Sequence, residues 1–286
     1  MAIFDDIYCG LCEKILTEGV RVHNRTGIDT IKIPAFHFEV DLEKEFPILT
    51  TKKVWIRQAV TEMLWIYQEQ SNKVKWLQDR NVHIWDKWEI AEDGNWYSET
   101  TGEVLKSFPK EFAGTIGTAY GYIVKKYNLI NNLIDTIKNN PEDRRMVMSL
   151  WQDCELENAV LPSCVWSSEW DVTDGKINLW VHQRSCDVPL GLPFNITQYA
   201  VLLEMIAQVT GYKAGKINWS IKDAHIYINQ VNGIKEQLRR WKTNEPLPAP
   251  EFYLNKEIKD FYEFKAEDAK LVNYKEMGAI QFPLTQ

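Results

Sequence analysis

Cys164, in the stretch LPSC at residues 161–164, is the side chain best placed by its surroundings to act as a nucleophile. It opens a β-prone run directly after a proline-containing turn, which would hold the thiol at a sheet edge. A cysteine reacts as the thiolate and needs positive charge close by. Residues 165–185 read as two strands joined at Asp174 and Gly175, a short hairpin signal. With the turn there, residue 165 pairs with about residue 184, so Arg184 is expected beside Cys164, lowering its pKa. Arg25, Arg144, Arg145, Arg184 and Ser185 offer enough donors to hold one phosphomonoester. Surface ion pairs are the ordinary alternative for any one of these arginines.

Polar residues in apolar surroundings supply the other candidates. Glu62 lies in the apolar run TEMLWIY, where a carboxylate is costly unless it is paired or serves as acid or base. Asn195 opens an apolar helix after LGLPF; it is either an N-cap or an amide that reads a base edge by donating and accepting. His225 and Tyr227 are two apart on a strand and share a face, so they can serve one site. Cys9 and Cys12 form a CxxC without further metal ligands, and they sit on a predicted amphipathic helix; packing is the expected role.

The elements that must position these groups follow from periodicity. Residues 2–18 predict a helix with Ile3, Ile7, Leu11 and Ile15 on one face. Residues 30–42 alternate as a strand that Pro34 bulges or kinks. Helical spacing returns from Lys52 to about residue 67 and briefly at 83–90. Residues 91–113 show no sustained period and read as a loop insertion. Residues 127–141 predict a helix ended by Pro141, and 193–211 a strongly apolar helix closed by Gly211. Residues 215–229 alternate as a strand. One domain over 1–286 of α+β class, with strands and long helices interleaved, is the expected architecture.

Forty acidic against thirty-three basic residues give a net charge of −7, which disfavours nucleic acid and anionic membrane as general partners. No eighteen-residue apolar run or basic-then-apolar leader occurs, so a cytoplasmic protein is expected. Five cysteines argue against a disulfide framework and fit a reducing compartment.

Taken together, NRTGIDT, FPILTTKK, TEMLWIY, VHIWDKW, GTIGTAYG, PEDRRMVMSLW, LPSCVWSSEW, QRSCDVPLGLPFNITQY and DAHIYIN resemble the thymidylate synthase family, in the family's order and across nearly the whole chain. The resemblance implies a large mixed sheet packed by long helices, with sheet faces forming a homodimer interface. It implies reductive methylation of dUMP to dTMP, with 5,10-methylenetetrahydrofolate donating both the one-carbon unit and the hydride. Neither metal nor nicotinamide is then needed, and no GxGxxG follows a strand.

By the same resemblance Cys164 is the nucleophile toward carbon 6 of the pyrimidine. Arg25, Arg184 and Ser185 are phosphate ligands, while Arg144 and Arg145 reach the partner subunit's phosphate. Asn195 reads the uracil edge, and His225 and Tyr227 hold the deoxyribose hydroxyl; Cys186, Asp187 and Ile226 fall within the same nucleotide-binding stretches. Glu62 organises proton transfer at the pyrimidine carbonyl, and Tyr120 is placed for removal of the carbon 5 proton through water. Lys52, Trp55, Trp85, Trp88, Asp187, Leu190, Gly191, Phe194 and Thr285 match the folate pocket.

The departures are Val165, where many members have His; YGYIVKK, in place of Gln-Trp-Arg after YG; Trp55 and Gln230, each in place of a His; and the ending FPLTQ. They bear on folate affinity and closure more than on the nucleotide site. A pyrimidine nucleotide hydroxymethylase of the same superfamily is the nearest rival, and a cysteine hydrolase using His225 as base is a remote one.

Overall fold

In the computed structural model, which describes residues 2–285, seven helices and eleven strands form among the described residues. The helices are α1 (Ile3–Glu18), α2 (Ile56–Tyr67), α3 (Val74–Gln78), α4 (Gly121–Lys126), α5 (Leu129–Asn139), α6 (Gly191–Thr210) and α7 (Val231–Thr243). The strands are β1 (Val20–Val22), β2 (Thr30–Asp41), β3 (Asn95–Tyr97), β4 (Val104–Ser107), β5 (Val147–Ser149), β6 (Val165–Thr173), β7 (Lys176–Gln183), β8 (Cys186–Asp187), β9 (Lys213–Tyr227), β10 (Glu251–Leu254) and β11 (Ala269–Val272). A seven-stranded sheet runs β1-β2-β9-β7-β6-β5, with β8 also paired to β9. It is mixed: β7 and β8 run parallel to β9, and its other pairs are antiparallel. The α+β class expected from the periodicities is therefore the one observed. No helix among the described residues is long and apolar enough to cross a membrane.

The turn between β6 and β7 has Asp174 at φ 51° and Gly175 at φ 72°. A two-residue hairpin needs both positive, which is why Asp-Gly serves there. Thr173 pairs with Lys176, as counted from the sequence, but a bulge between Val165 and Ser167 then shifts the register by one. Val165 consequently faces Gln183 rather than residue 184. The shift puts Arg184 opposite Cys164 itself, whose carbonyl accepts from the Arg184 N–H at 2.8 Å.

Strand β2 kinks without bulging. Ala35 sits at φ 133°, yet Pro34 pairs with Asp223 and Phe36 with Ile221, so the register holds on both sides. Helix α6 is apolar nearly all round and is buried accordingly, between the sheet and α2, ending at Gly211 with φ 81°. The helical stretch expected at 83–90 is one short turn, Asp86–Trp88.

Residues 91–113 correct the expectation of a structureless loop: β3 and β4 form a hairpin, anchored by the buried side chains of Trp96 and Phe108, and Trp96 Nε1 donates to Lys87 O at 2.8 Å. Strands of three and four residues with a register shift between them leave too little alternation to read.

One buried carboxylate ties the fold to the site. Asp5, in the first turn of α1, accepts from the backbone N–H and hydroxyl of both Thr50 and Thr51, at 2.6 to 3.2 Å. It thereby holds the loop that carries Lys52 against the helix N-terminus, where negative charge is favoured. Asp5→Ala would leave these buried donors unpaired. The expected result is a loss of about 3 kcal/mol, read as a lower urea midpoint at unchanged slope; an unmoved midpoint would refute the clamp.

Candidate active site

Cys164 lines a cleft together with Glu62, Trp85, Tyr120, Asn195 and Gln198. Arg184 shapes the turn before it. Its Nε donates to Ser163 O at 3.1 Å and its Nη2 to Pro162 O at 2.5 Å, while Nη2 also lies 3.8 Å from the Cys164 sulfur. The LPSC backbone is thus wrapped around one guanidinium, which keeps further N–H donors for an anion.

Tyr120 completes the surroundings of the thiol. It sits at φ 47°, a strained conformation for a non-glycine residue, and its hydroxyl accepts from the Cys164 N–H at 3.0 Å.

The thiol itself departs from the expectation of a lowered pKa. Burial raises it, and this outweighs the opposing pull of Arg184, the Tyr120 hydroxyl and Arg25. Desolvation penalises the charged form whatever its neighbours, and a count of sequence positions does not weigh it.

Glu62 lines the same cleft. Trp85 Nε1 donates to its Oε1 at 2.7 Å and Gln198 Nε2 to its Oε2 at 2.5 Å. Burial lifts its pKa to about 7 against both hydrogen bonds, so the carboxyl exchanges its proton near neutrality. Asn195 Nδ2 donates to Gln198 Oε1 at 3.3 Å, and its Oδ1 accepts from Gln183 Nε2 at 3.1 Å. The amide therefore keeps one free N–H and one free lone pair. Gln183 and Gln198 were missed in the sequence. Gln198 had a signal: it lies one helical turn from Asn195 on α6, a polar residue in an otherwise apolar stretch.

His225 and Tyr227 share a face of β9, their rings 5.2 Å apart and edge to face. His225 Nδ1 lies 2.9 Å from Asp223, whose carboxyl would be raised by its burial but is held down at about 2 by His225 and Lys32. Asp187, on the neighbouring β8, is raised by burial; it accepts from Gln230 at 3.1 Å and from the Leu190 N–H at 3.4 Å. The charges of Arg25 and Asp187 both act on Cys164 and on Tyr227, which puts these groups in one region. Trp88 packs edge to face on Trp85 at 5.6 Å, and Gly191 and partly buried Phe194 lie in the first turn of α6.

Other predicted site residues are not in the cleft. Arg144 and Arg145 are exposed on the turn before β5, and Arg145 is paired with Asp143. Trp55 is half exposed, under Lys53. Lys52 is buried, its ammonium bonded to Pro189 O and over the Phe282 ring, and burial lowers it to about 8. Cys186 and Ile226 are fully buried core side chains. Ser185 is half-buried between Arg184 and β8. Thr285 has a buried hydroxyl without a partner, and Gln286 falls outside the described residues. Among the described residues, no cluster of His, Cys, Asp or Glu could hold a metal ion.

A thiol beside a guanidinium and an exchangeable carboxyl line one cleft on this mixed sheet, together with aromatic side chains, the arrangement of a candidate active site. Comparison with known proteins narrows the class. The thymidylate synthase family model matches residues 6–286, and the chain belongs to that family of methyltransferases. It is similar to thymidylate synthase of Clostridium beijerinckii, 47% identical over 285 residues with all of both chains covered. Thymidylate synthase 1 of Bacillus spizizenii is 38% identical over 300 residues, covering 99% of each. Among solved structures, thermostable thymidylate synthase A from Bacillus subtilis superposes with a TM-score of 0.85 at 36% identity, covering 99% of each chain.

Proposed function

We propose that the chain, as one catalytic unit over residues 1–286, converts dUMP to dTMP. The observation that carries this reading is the placement of Cys164, Glu62 and Asn195 around one cleft, with Gln198 bonded to both the carboxyl and the amide. Cys164 adds through sulfur to carbon 6 of the uracil, which makes carbon 5 a carbon nucleophile. The charge that moves onto the carbon 4 oxygen meets the free N–H of Asn195 and, through water, the proton of Glu62. The remaining lone pair of Asn195 accepts from N3–H. The Tyr120 hydroxyl would hold the water that takes the proton carbon 5 must later lose and passes it to solvent. Arg25, Arg184 and Ser185 bind the phosphate, and His225 and Tyr227 the deoxyribose hydroxyl; the other residues of the nucleotide-binding stretches, Cys186 and Ile226, act by packing beneath them.

5,10-Methylenetetrahydrofolate would supply the one-carbon unit and the hydride. The residues present fit it: Trp85 and Trp88 offer aromatic surface, Asp187 is a buried carboxyl able to hydrogen-bond a pterin, and the buried Thr285 hydroxyl lacks a partner. Leu190, Gly191, Phe194, Lys52 and Trp55 are assigned to the same folate pocket in this reading. No metal and no nicotinamide enter this scheme.

The working form is a homodimer in the cytoplasm. Support comes from the outer face of the sheet, where Trp166 and Trp180 are exposed, and from Arg144 and Arg145, which stand outside their own chain's cleft as residues given to the partner's phosphate would. Incubation with dUMP and methylenetetrahydrofolate is expected to yield dTMP and dihydrofolate in equal amounts, followed by dihydrofolate absorbance and chromatography of the nucleotide. Hydroxymethyl-dUMP without dihydrofolate would overturn the proposal.

A further inference from the structure

The geometry points to Trp219 and Gln183, neither of which lines the cleft, as the positioning residues that set which way round Asn195 presents its amide to the pyrimidine. This rests on the reading of Asn195 as the group that recognises the base. Trp219 is fully buried on β9, stacked on Phe38 at 6.3 Å and edge to face with Tyr199 at 5.5 Å, so its indole cannot swing. Its Nε1–H donates to Gln183 Oε1 at 3.0 Å.

An indole nitrogen is a donor only. The Gln183 carbonyl must therefore face Trp219, and its NH₂ faces Asn195 Oδ1 at 3.1 Å. Asn195 then turns its own NH₂ to Gln198 Oε1, and Gln198 turns its NH₂ to Glu62 and to Ala59 O at 3.3 Å. Every amide in the row points the same way. The row is pinned at one end by a group that can only donate, Trp219, and at the other by one that can only accept, the Ala59 carbonyl.

The consequence is specificity. In this orientation Asn195 offers one N–H and one lone pair in the order that a uracil carbonyl and N3–H require. Cytosine presents the opposite order, an amino group and an unprotonated N3. Accepting it requires Asn195 to flip, then Gln183, which would set two buried donors face to face at Trp219. Buried donors left unpaired are penalised more than a made hydrogen bond is rewarded. Of the two pins, only Trp219 is a side chain and can be removed by substitution.

The test is the inhibition constant of dCMP divided by the KM of dUMP in wild type, Trp219→Phe, Gln183→Glu and Asn195→Asp. Trp219→Phe removes the indole N–H and is expected to lower the ratio about tenfold, since the Ala59 carbonyl still biases the row. Gln183→Glu keeps the bond to Trp219 but replaces the donor facing Asn195 by an acceptor, so the ratio is expected to fall further. Damage to packing alone would weaken both nucleotides alike and leave the ratio in place. Should Trp219→Phe fail to fold, Gln183→Glu decides. A ratio shifted by Asn195→Asp but unmoved within twofold by the other two refutes the lock and leaves the reading of Asn195 standing. A ratio that none of the three moves refutes both.

Discussion

Cys164→Ser is expected to lower turnover of dUMP by about 10⁴-fold, equivalent to about 5 kcal/mol of barrier, while dUMP still binds within about tenfold of wild type. The two halves of this result come from different parts of the cleft. Arg25, Arg184 and Ser185, with His225 and Tyr227, hold the nucleotide in the proposed site and are untouched by the change. Arg184 binds the carbonyls of Pro162 and Ser163, so the turn survives loss of the sulfur. What is lost is the sulfur that the proposed mechanism joins to carbon 6. A hydroxyl in the same buried place ionises far less readily than a thiol, and desolvation opposes its anion in the same way. Because burial already raises the wild-type thiol, alkylation of Cys164 by iodoacetamide should still be accelerating with pH at the ordinary cysteine pKa, where an exposed thiol begins to level off. Turnover of the serine variant within tenfold of wild type would dismiss Cys164 as nucleophile.

The fold was legible wherever a local signal determines a local shape. Asp174 and Gly175 specify their hairpin because that turn demands two positive φ values, and the apolar run before Gly211 can only be a buried helix. The bulge at the start of β6 was not legible, since an extra residue in a strand leaves no mark in composition, and it decides that Arg184 faces Cys164 and not Val165. The hairpin within residues 91–113 was hidden for want of length.

In the site, the candidates were found as single residues set in the wrong surroundings: Glu62 in an apolar helix, Asn195 at the head of another. The connections between them were not found, because Gln183 and Gln198 join elements far apart in the chain. Arg184 lies beside Cys164 as expected, whereas Arg144 and Arg145 do not, and the balance between a cation and burial depends on depth, which appears only once the sheet and α6 are packed.

The second large effect concerns protons. Glu62→Gln is expected to lower kcat/KM at pH 7 by about 10² to 10³-fold, in the range of a lost general acid. The form of its pH dependence identifies the reason. In the proposed addition step sulfur must be ionised and Glu62 protonated. Cys164 titrates above its ordinary value and Glu62 at about 7, so the two are needed in the reverse of their usual order. Below pH 7 nearly all Glu62 carries its proton, and the rate rises tenfold per pH unit with the thiolate. Above pH 7 the thiolate still increases tenfold per unit while protonated Glu62 decreases tenfold, and the wild-type profile levels. The amide introduced by Glu62→Gln has no proton to lose there, so the variant keeps rising through pH 7. Dividing the wild-type value by the variant value at each pH cancels the thiol and the substrate phosphate, which titrate in both. The quotient should be constant below pH 7 and fall tenfold per unit above it. A quotient flat from pH 6 to 9 would show that Glu62 acts through its shape and hydrogen bonds and supplies no proton.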